Sequence, residues 1–396
     1  MISYLEALEL ILKESIPFGN EFVPIGESFG RVNSENILAD RDYPPFHRSA
    51  MDGFAISSNE FSNKKTYVYN RELHAGETIT KLPNESTIRI MTGAPVPDGY
   101  DAVIKIEDTK LSEENGKKTV LFQNSEIRAW LNIAKQGEDA KKGDLLLPIG
   151  TSINISEISL LASLGIDSVP VFSLPKVKII STGNEVVPIE ILPLPHQIRD
   201  SNSFTITASL AKFKIIPHSI THVIDDESKM RNAVEQGLDS DILILSGGVS
   251  VGEKDLVPSI LNQLGVSTIF HKTAIKPGKP IWFGKKGKTF VFGLPGNPMS
   301  VQTCFRILID PFLRKSLGLQ KEIFLKLPFS DSKNKKHNLT EFFPVRLFTK
   351  DKTYISPIPF NGSGDIKAGR FSDGLAIFPQ NQNQLLPEEM IEFLPW

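Results

Sequence analysis

Two glycine-rich turns carry the residues most suited to chemistry: Ser246-Gly247-Gly248-Val249-Ser250-Val251-Gly252-Glu253-Lys254-Asp255, and Gly293-Leu294-Pro295-Gly296-Asn297-Pro298. The first follows the apolar run Ile242-Leu243-Ile244-Leu245 and the second follows Phe290-Val291-Phe292. Each is therefore expected at the C-terminal end of a strand, where open α/β sheets place their ligands. Glycine admits a backbone N–H close to an anionic oxygen because no Cβ stands in the way. Between the turns, Lys272, Lys276 and Lys279 place three ammonium groups within eight positions. They can hold phosphate or another oxyanion as point charges. Together these features predict a local anion-binding site.

Carboxylates accompany the turns. Glu185 lies in Ser181-Thr182-Gly183-Asn184-Glu185, Asp200 precedes Ser201-Asn202-Ser203, Asp225 and Asp226 follow a strand-like run, and Asp255 ends the first turn. Such oxygen ligands suit Mg²⁺, which commonly bridges a few carboxylates to substrate phosphates. Asp200 and Asp225 read equally as helix caps, and Asp255 as the start of a helix. Their recurrence at successive strand ends favours a shared site, since those ends converge at one edge of a parallel sheet. Gly287-Lys288-Thr289 imitates the tail of a P-loop, but Trp282 occupies the position of the required earlier glycine, so a hairpin turn is expected there. His47, His74 and His222 read as surface or packing residues, because the histidines show no paired zinc-ligand spacing.

The elements that must position these residues follow from periodicity. Leu5, Leu8, Ile11 and Leu12 are three or four apart or adjacent on one face, which predicts an amphipathic helix over residues 2–15; a second helix spans 155–164 and ends at Gly165. From about 44 to 140 short runs are broken by Gly, Pro and Asn, predicting a β module inserted into a helical framework, with strands at 88–92 and 102–106 joined through Gly93 to Gly99. From Pro175 the texture alternates: strand 177–180, helix 203–211, strand 220–224, helix 227–236, strand 242–245. That order predicts a doubly wound sheet with helices on both faces. A helix should run from Asn297 to Leu317, with a break or kink at Asp310-Pro311. Residues 324–396 read as a small β domain in which 331–338 is a surface turn.

Composition bounds the function. The chain has 396 residues, 40% hydrophobic and 23% charged, with a formal net charge of -2. Its length suggests about two to four domains, and its charge argues against broad nucleic-acid or membrane surfaces. Cys304 is the one cysteine; intrachain disulfides and cysteine metal clusters are excluded, a reducing compartment is expected, and the thiol reads as buried core. No apolar run approaches the roughly 18 residues of a membrane span and the N-terminus lacks a signal pattern, so a cytoplasmic location is expected.

Laid side by side, these residues closely resemble the MoeA-type molybdopterin molybdenumtransferase family, related to the gephyrin E domain, over nearly the whole chain. The marks are Ser49-Ala50-Met51-Asp52-Gly53, Ile90-Met91-Thr92-Gly93-Ala94-Pro95-Val96-Pro97, Gly137-Glu138-Asp139, Ser181 to Glu185, Asp200 to Ser203, Ser246 to Asp255, Lys276-Pro277-Gly278-Lys279-Pro280 and Gly293 to Pro298. The resemblance implies a multidomain α/β-plus-β architecture: a split helical framework domain (1–43 and 141–174), an inserted β domain (44–140), a doubly wound molybdopterin-binding α/β domain (175–323) and a C-terminal β domain (324–396). It also implies a homodimer whose cleft combines parts of both subunits, and a Mg²⁺-dependent reaction in which adenylylated molybdopterin and molybdate yield molybdenum cofactor and AMP.

By motif position the resemblance assigns Asp52, Thr92, Asp139, Glu185, Asp225 and Asp255 to catalysis, with Glu185, Asp225 and Asp255 as metal ligands. Ser246, Gly247, Gly248, Ser250, Lys272, Lys276, Lys279, Pro295, Asn297 and Pro298 are the substrate contacts, and Ser363 in Gly362-Ser363-Gly364 is a further ligand candidate. A molybdopterin adenylyltransferase and recipient molybdoenzymes are the implied protein partners. The chain departs from the family pattern at His47-Arg48, where Asp-Asn is usual, at Ala134, where Arg is common, and over 365–373. Adenylyl transfer to molybdopterin and a non-catalytic gephyrin-like scaffold are the competing functions.

Overall fold

The computed structural model describes residues 1–62, 65–78, 85–123, 127–249 and 256–396. Ser250 and Asp255 lie outside the described residues. The chain divides into two compact units, one built from 1–35 with 149–396 and the other from 36–148.

The larger unit opens with α1 (Tyr4–Glu14), fixed by a capping box. Ser3 Oγ accepts from the Glu6 N–H at 3.2 Å, while the Glu6 carboxylate accepts from the Ser3 N–H at 2.7 Å. Its buried face is Tyr4, Ala7 and Ile11, and Leu5 is 70% exposed. The apolar stripe read from the sequence is therefore rotated, because Tyr4 packs edge-on against Phe342, at 5.0 Å between ring centroids. A second helix, α2 (Ile155–Ser163), ends before Gly165, whose φ of +71° supplies the left-handed exit expected of it.

Six strands form the central sheet of this unit: β1 (Val177–Thr182), β2 (Ser219–Val223), β3 (Ile242–Ser246), β4 (Ser267–His271), β5 (Trp282–Lys286) and β6 (Thr289–Leu294). Their order is β2-β1-β3-β6-β5-β4, parallel from β2 to β6 and antiparallel beyond. The reversal comes from the hairpin at Gly287-Lys288, which returns β6 alongside β5. Helices α3 (Asn202–Ala211), α4 (Glu227–Gly237) and α5 (Leu256–Gln263) cover the sheet. Ile179, Ile244 and Phe292 share one core with Ile206 and Leu210 of α3. Ile180, Leu243, Leu245 and Val291 share another with Met230 and Val234 of α4 and Val257 and Ile260 of α5. Strand alternation thus feeds two layers, as a doubly wound sheet requires.

Helix α6 (Pro298–Cys304) continues through a π-helical turn (Phe305–Ile309) into α7 (Asp310–Ser316). The break expected at Asp310-Pro311 is absorbed by this turn, which widens the helix just before the residue that lacks an N–H. Cys304 is fully buried, and burial pushes its thiol pKa up.

The C-terminal sheet runs Ile275–Lys276, Thr340–Thr349, Gly374–Phe378, Met390–Pro395, Leu325–Pro328, with Thr353–Pro357 paired to Thr340–Thr349. Its first strand belongs to the lysine-rich segment, so Lys276 lies opposite Glu341. Residues 331–338, expected as a surface turn, hold the short strand Lys333–Asn334 and Lys335, which is only 6% exposed. The Lys335 ammonium donates to the carbonyls of Leu339, Pro379 and Gln380. A lysine buried to bind carbonyls carries no signature in sequence pattern.

In the unit of residues 36–148, one sheet is ordered Glu72–Leu73, Thr87–Ile90, Gly53–Ile56, Ala102–Lys105, and another is ordered Thr66–Val68, Lys117–Phe122, Thr109–Glu114. The two strands expected around the Gly93 to Gly99 turn are present, but Gly53–Ile56 lies between them. Gly53 fits there because a Cβ would lie 1.9 Å from the Ile104 carbonyl oxygen.

The aromatic packing of the larger unit gives a stability test. Phe312 is fully buried and meets Phe290 and Phe292 edge-on, at centroid distances of 4.9 and 5.4 Å. Phe312→Ala should destabilise this unit by about 3–5 kcal/mol, read as a lowered unfolding midpoint in denaturant.

Candidate active site

Ser181 on β1 pairs with Ser246 on β3, and Ser246 with Leu294 on β6. Three chain segments therefore leave the sheet at one level and line a cavity of about 460 Å³. Its walls include Glu185, Asp225, Ser246, Gly247, Gly248, Pro295, Asn297 and Pro298, eight of the residues expected at the site. The sequence had also marked Asp200 and Asn202, and both are in the lining.

Neighbouring strand ends shape the first glycine turn. Gly247 has a φ of +95°, and a Cβ there would lie 2.7 Å from the Thr182 carbonyl oxygen. Gly248 has a φ of +63°, and its Cβ would lie 3.0 Å from Val257. Only glycine meets both demands, backbone hand and space. The Gly247 N–H donates to the Leu294 carbonyl at 3.0 Å, so it is spent on structure. Of the described residues of this turn, Gly248 and Val249 have N–H groups without a partner among the described residues.

The carboxylates divide by task. Asp225 Oδ1 accepts from the Thr182 hydroxyl at 3.1 Å and Oδ2 from the Asn184 N–H at 3.3 Å. Asp226 instead caps α4, accepting from the Lys229 N–H at 2.9 Å. Asp225 is thus freed from capping and faces the cavity. Asp200 receives the Ser203 N–H and hydroxyl at 3.0 and 2.7 Å, a capping role. Among the described residues no three His, Cys, Asp or Glu side chains gather as a metal site. The pair Glu185 and Asp225 fits a cation that draws its other ligands from phosphate and water.

Asn202 and Thr182 are the residues that motif reading left without a role. The Asn202 amide Nδ2 donates to Ser246 Oγ at 3.0 Å and to the Gly296 carbonyl at 2.7 Å, tying both glycine turns to the start of α3. Its Oδ1 is buried without a partner, an acceptor open to a ligand N–H or O–H. Asn297 begins α6 and donates to Ser363 Oγ at 2.8 Å. Helix α6 starts at the cavity wall, and its positive end favours anions there.

The lysines stand apart from this cavity. Lys276 and Lys279 line a neighbouring one of about 530 Å³ with Lys333, Glu341 and Ser363, and Pro280, Pro295 and Asn297 border both. Lys272 lines neither.

Asp52, Thr92 and Asp139 lie in the other unit. Asp52 Oδ1 accepts from the Thr92 N–H and hydroxyl, both at 2.7 Å. These donors, the N–H first, hold its carboxyl below the ordinary aspartate pKa. Asp139 is exposed and anchored through its own N–H to the Tyr43 carbonyl at 3.0 Å.

A doubly wound α/β domain with glycine turns at its strand ends, followed in the chain by a C-terminal β sheet and preceded by the β-rich segment 36–148, defines a multidomain α/β-plus-β class of protein. Family models match throughout: the MoeA N-terminal region (domain I and II) at 2–165, a "probable molybdopterin binding domain" at 178–315 and the MoeA C-terminal region (domain IV) at 326–396. The chain is 33% identical to a molybdopterin molybdenumtransferase of Synechocystis sp., covering 100% of each chain. It is 37% identical to that of Haemophilus influenzae, covering 77% of this chain and 75% of the relative. Its fold is similar to that of the molybdopterin biosynthesis moeA protein of Pyrococcus horikoshii, with a TM-score of 0.84, 28% identity and full coverage of both. The chain belongs to the MoeA-type molybdopterin molybdenumtransferase family.

Two tests follow from the geometry. Removing the tie in Asn202→Ala should cost about 1–2 kcal/mol and weaken ligand binding to the cavity, both measurable by thermal shift with and without ligand. In Thr92→Val, loss of the hydroxyl should move the Asp52 pKa part of the way back up, visible by carboxyl NMR. A depressed folded pKa stabilises above the unfolded value and is lost as pH falls through the folded value. Acid unfolding of this unit should accordingly begin at higher pH in the variant.

Proposed function

We propose that this chain is a molybdopterin molybdenumtransferase, inserting molybdenum from molybdate into adenylylated molybdopterin with release of AMP. One observation carries the reading: a single cavity collects Glu185, Asp225, the Ser246 turn and the Pro295 to Pro298 wall. The relatives named above support it over adenylyl transfer or a scaffold role.

In this reading the cavity holds the phosphoanhydride. The N–H groups of Gly248 and Val249 and the start of α6 contact phosphate oxygens, and the orphaned Asn202 Oδ1 accepts from the pterin or ribose. Glu185 and Asp225, with Asp255, would hold Mg²⁺, which when bound offsets charge on the phosphate oxygens as the anhydride opens. Thr182 keeps the Asp225 carboxylate aimed through its hydroxyl. Lys276 and Lys279 attract molybdate into the neighbouring cavity, where Ser363 is a further donor, and Lys272, which lines neither cavity, adds positive charge to the same chain segment. There the two dithiolene thiols displace two molybdate oxygens, which leave with the thiol protons as hydroxide and take up solvent protons to become water, while a further water adds across the phosphoanhydride to release AMP. The protein positions and stabilises, and forms no covalent intermediate.

The working form is proposed to be a cytoplasmic homodimer, in which Asp52, Thr92 and Asp139 serve the same reaction. Among the described residues no helix is long and apolar enough to cross a membrane. A molybdopterin adenylyltransferase upstream and recipient molybdoenzymes downstream are the proposed protein partners.

Purified protein with Mg²⁺, molybdate and adenylylated molybdopterin should release AMP and form cofactor, and a chelator should stop both without unfolding the chain. Asp225→Asn should lower the rate by about 10²-fold or more. AMP release from ATP and molybdopterin alone, or an unchanged rate in Asp225→Asn, would overturn the assignment.

A further inference from the structure

Arg306 sits on the π-helical turn between α6 and α7 and is only 5% exposed. Two of its nitrogens are bonded: Nε donates to the Pro395 carbonyl at 2.6 Å and Nη2 to Glu322 at 2.8 Å. The third, Nη1, is buried without a hydrogen-bond partner, and the nearest carboxylate, Asp310, stands 3.7 Å away. Around the same space Arg31 Nε and Arg314 Nε are also buried and unpartnered donors, and Asp310 Oδ1 is one buried acceptor without a partner. Buried polar groups are rarely left so, and each case asks for an explanation.

These groups share a cavity. Arg31, Lys212, Arg306 and Arg314 line a space of about 240 Å³ whose acidic walls are Asp310 and Glu322. A second space of about 320 Å³ adjoins it through Lys212, Arg306, Asp310 and Trp396. Four cations, Arg31, Lys212, Arg306 and Arg314, stand against three carboxylates, since Glu21 pairs with Arg31 from outside the lining, which leaves one positive charge in excess. Water could fill such a volume and reach the open N–H groups, but it would leave the excess positive charge in place. An oxyanion satisfies both the donors and the charge. None of these residues lines either cavity of the candidate active site. π-helical turns also recur where a helix side chain is re-aimed for function.

We propose that this cavity is a second anion site, taking a small tetrahedral oxyanion of the class to which inorganic phosphate and molybdate belong. The ligand sits between Arg306 Nη1 and the Arg314 and Arg31 guanidiniums, with Lys212 at the mouth. It joins segments far apart in the chain: the strand region around Arg31, α3 through Lys212, α7 through Arg314 and the chain end at Trp396. An anion there stiffens the larger unit without touching the reaction cleft. The proposal stands independently of the transferase reading.

Titration calorimetry of the full chain tests it, with phosphate and molybdate as separate probes and chloride as the control. Saturable binding should be seen in the wild type. It should be weakened about tenfold or more in Arg314→Gln and also weakened in Lys212→Gln, while Asp225→Asn and Lys279→Gln, which alter the two active-site cavities, leave it in place. Lys212 is exposed and Arg314 partly buried, and the folding of both variants is checked by thermal unfolding in anion-free buffer. A phosphate response with no molybdate response identifies free or esterified phosphate as the ligand source, and the reverse identifies the metal oxyanion. No saturable binding of either probe, equal affinity in folded Arg314→Gln, or loss of binding in Asp225→Asn or Lys279→Gln would each overturn the site.

Discussion

The common ending of three parallel strands is the constraint on which the rest of the molecule depends. Ile179, Ile244 and Phe292 stand in one row across β1, β3 and β6, and Lys178, Leu243 and Val291 in the next. The first row feeds one core, and Leu243 and Val291 feed the other. A slip of one residue in any strand would shift it by about 3.3 Å and send its apolar side chains into the wrong layer. Burial on both faces therefore fixes the register, and the register brings Ser181, Ser246 and Leu294 to one edge. The site inherits its precision from a core that contains none of its polar groups.

Charge is separated at that edge. The cavity between the strand ends is lined by Glu185, Asp200 and Asp225, and its cation Arg199 is turned toward the carbonyls of Ile189 and Ile191. The neighbouring cavity holds Lys276 and Lys279, while its third lysine, Lys333, is paired with Glu341 at 3.1 Å. In one space these groups would pair with each other and leave little charge for a ligand, since opposite charges at contact attract strongly where water is scarce. Pro280, Pro295 and Asn297 border both spaces. Fixed proline backbone and the Asn297 bond to Ser363 make this boundary stiff. The feature that first reads as a phosphate loop acts equally as a partition.

Much of the architecture was legible because its signals are local. The first amphipathic helix, the Gly165 helix exit and the Gly287-Lys288 hairpin each involve residues within a few positions of one another. The reversed edge of the central sheet and the placing of Gly53–Ile56 between two later strands were not legible, since pairing order depends on contacts between distant segments. Lys335 was missed for a related reason: a charged residue in a polar run reads as solvated. Only the folded chain brings the carbonyls of Leu339, Pro379 and Gln380 around its ammonium.

The same distinction separates Asp225 from Asp226. Adjacent in sequence and identical in type, they are equivalent to hydropathy and capping patterns, and motif position alone singled out Asp225. Asp226 finds its partner three residues on, at the Lys229 N–H, whereas Asp225 finds Thr182, 43 residues earlier. Asn202 likewise bonds across 44 residues to Ser246 and 94 to Gly296, while its neighbour Asp200 caps three residues ahead. Asp226 and Asp200, with short-range partners, serve helices, whereas Asp225 and Asn202, with long-range partners, hold separate segments of the cleft together. A carboxylate or amide whose local capping role is already taken by its neighbour is therefore available for the cleft. The doubled polar positions at strand ends, Asp225-Asp226 and Asp200 with Asn202, are the places where the sequence supplied one group for the helix and one for the site.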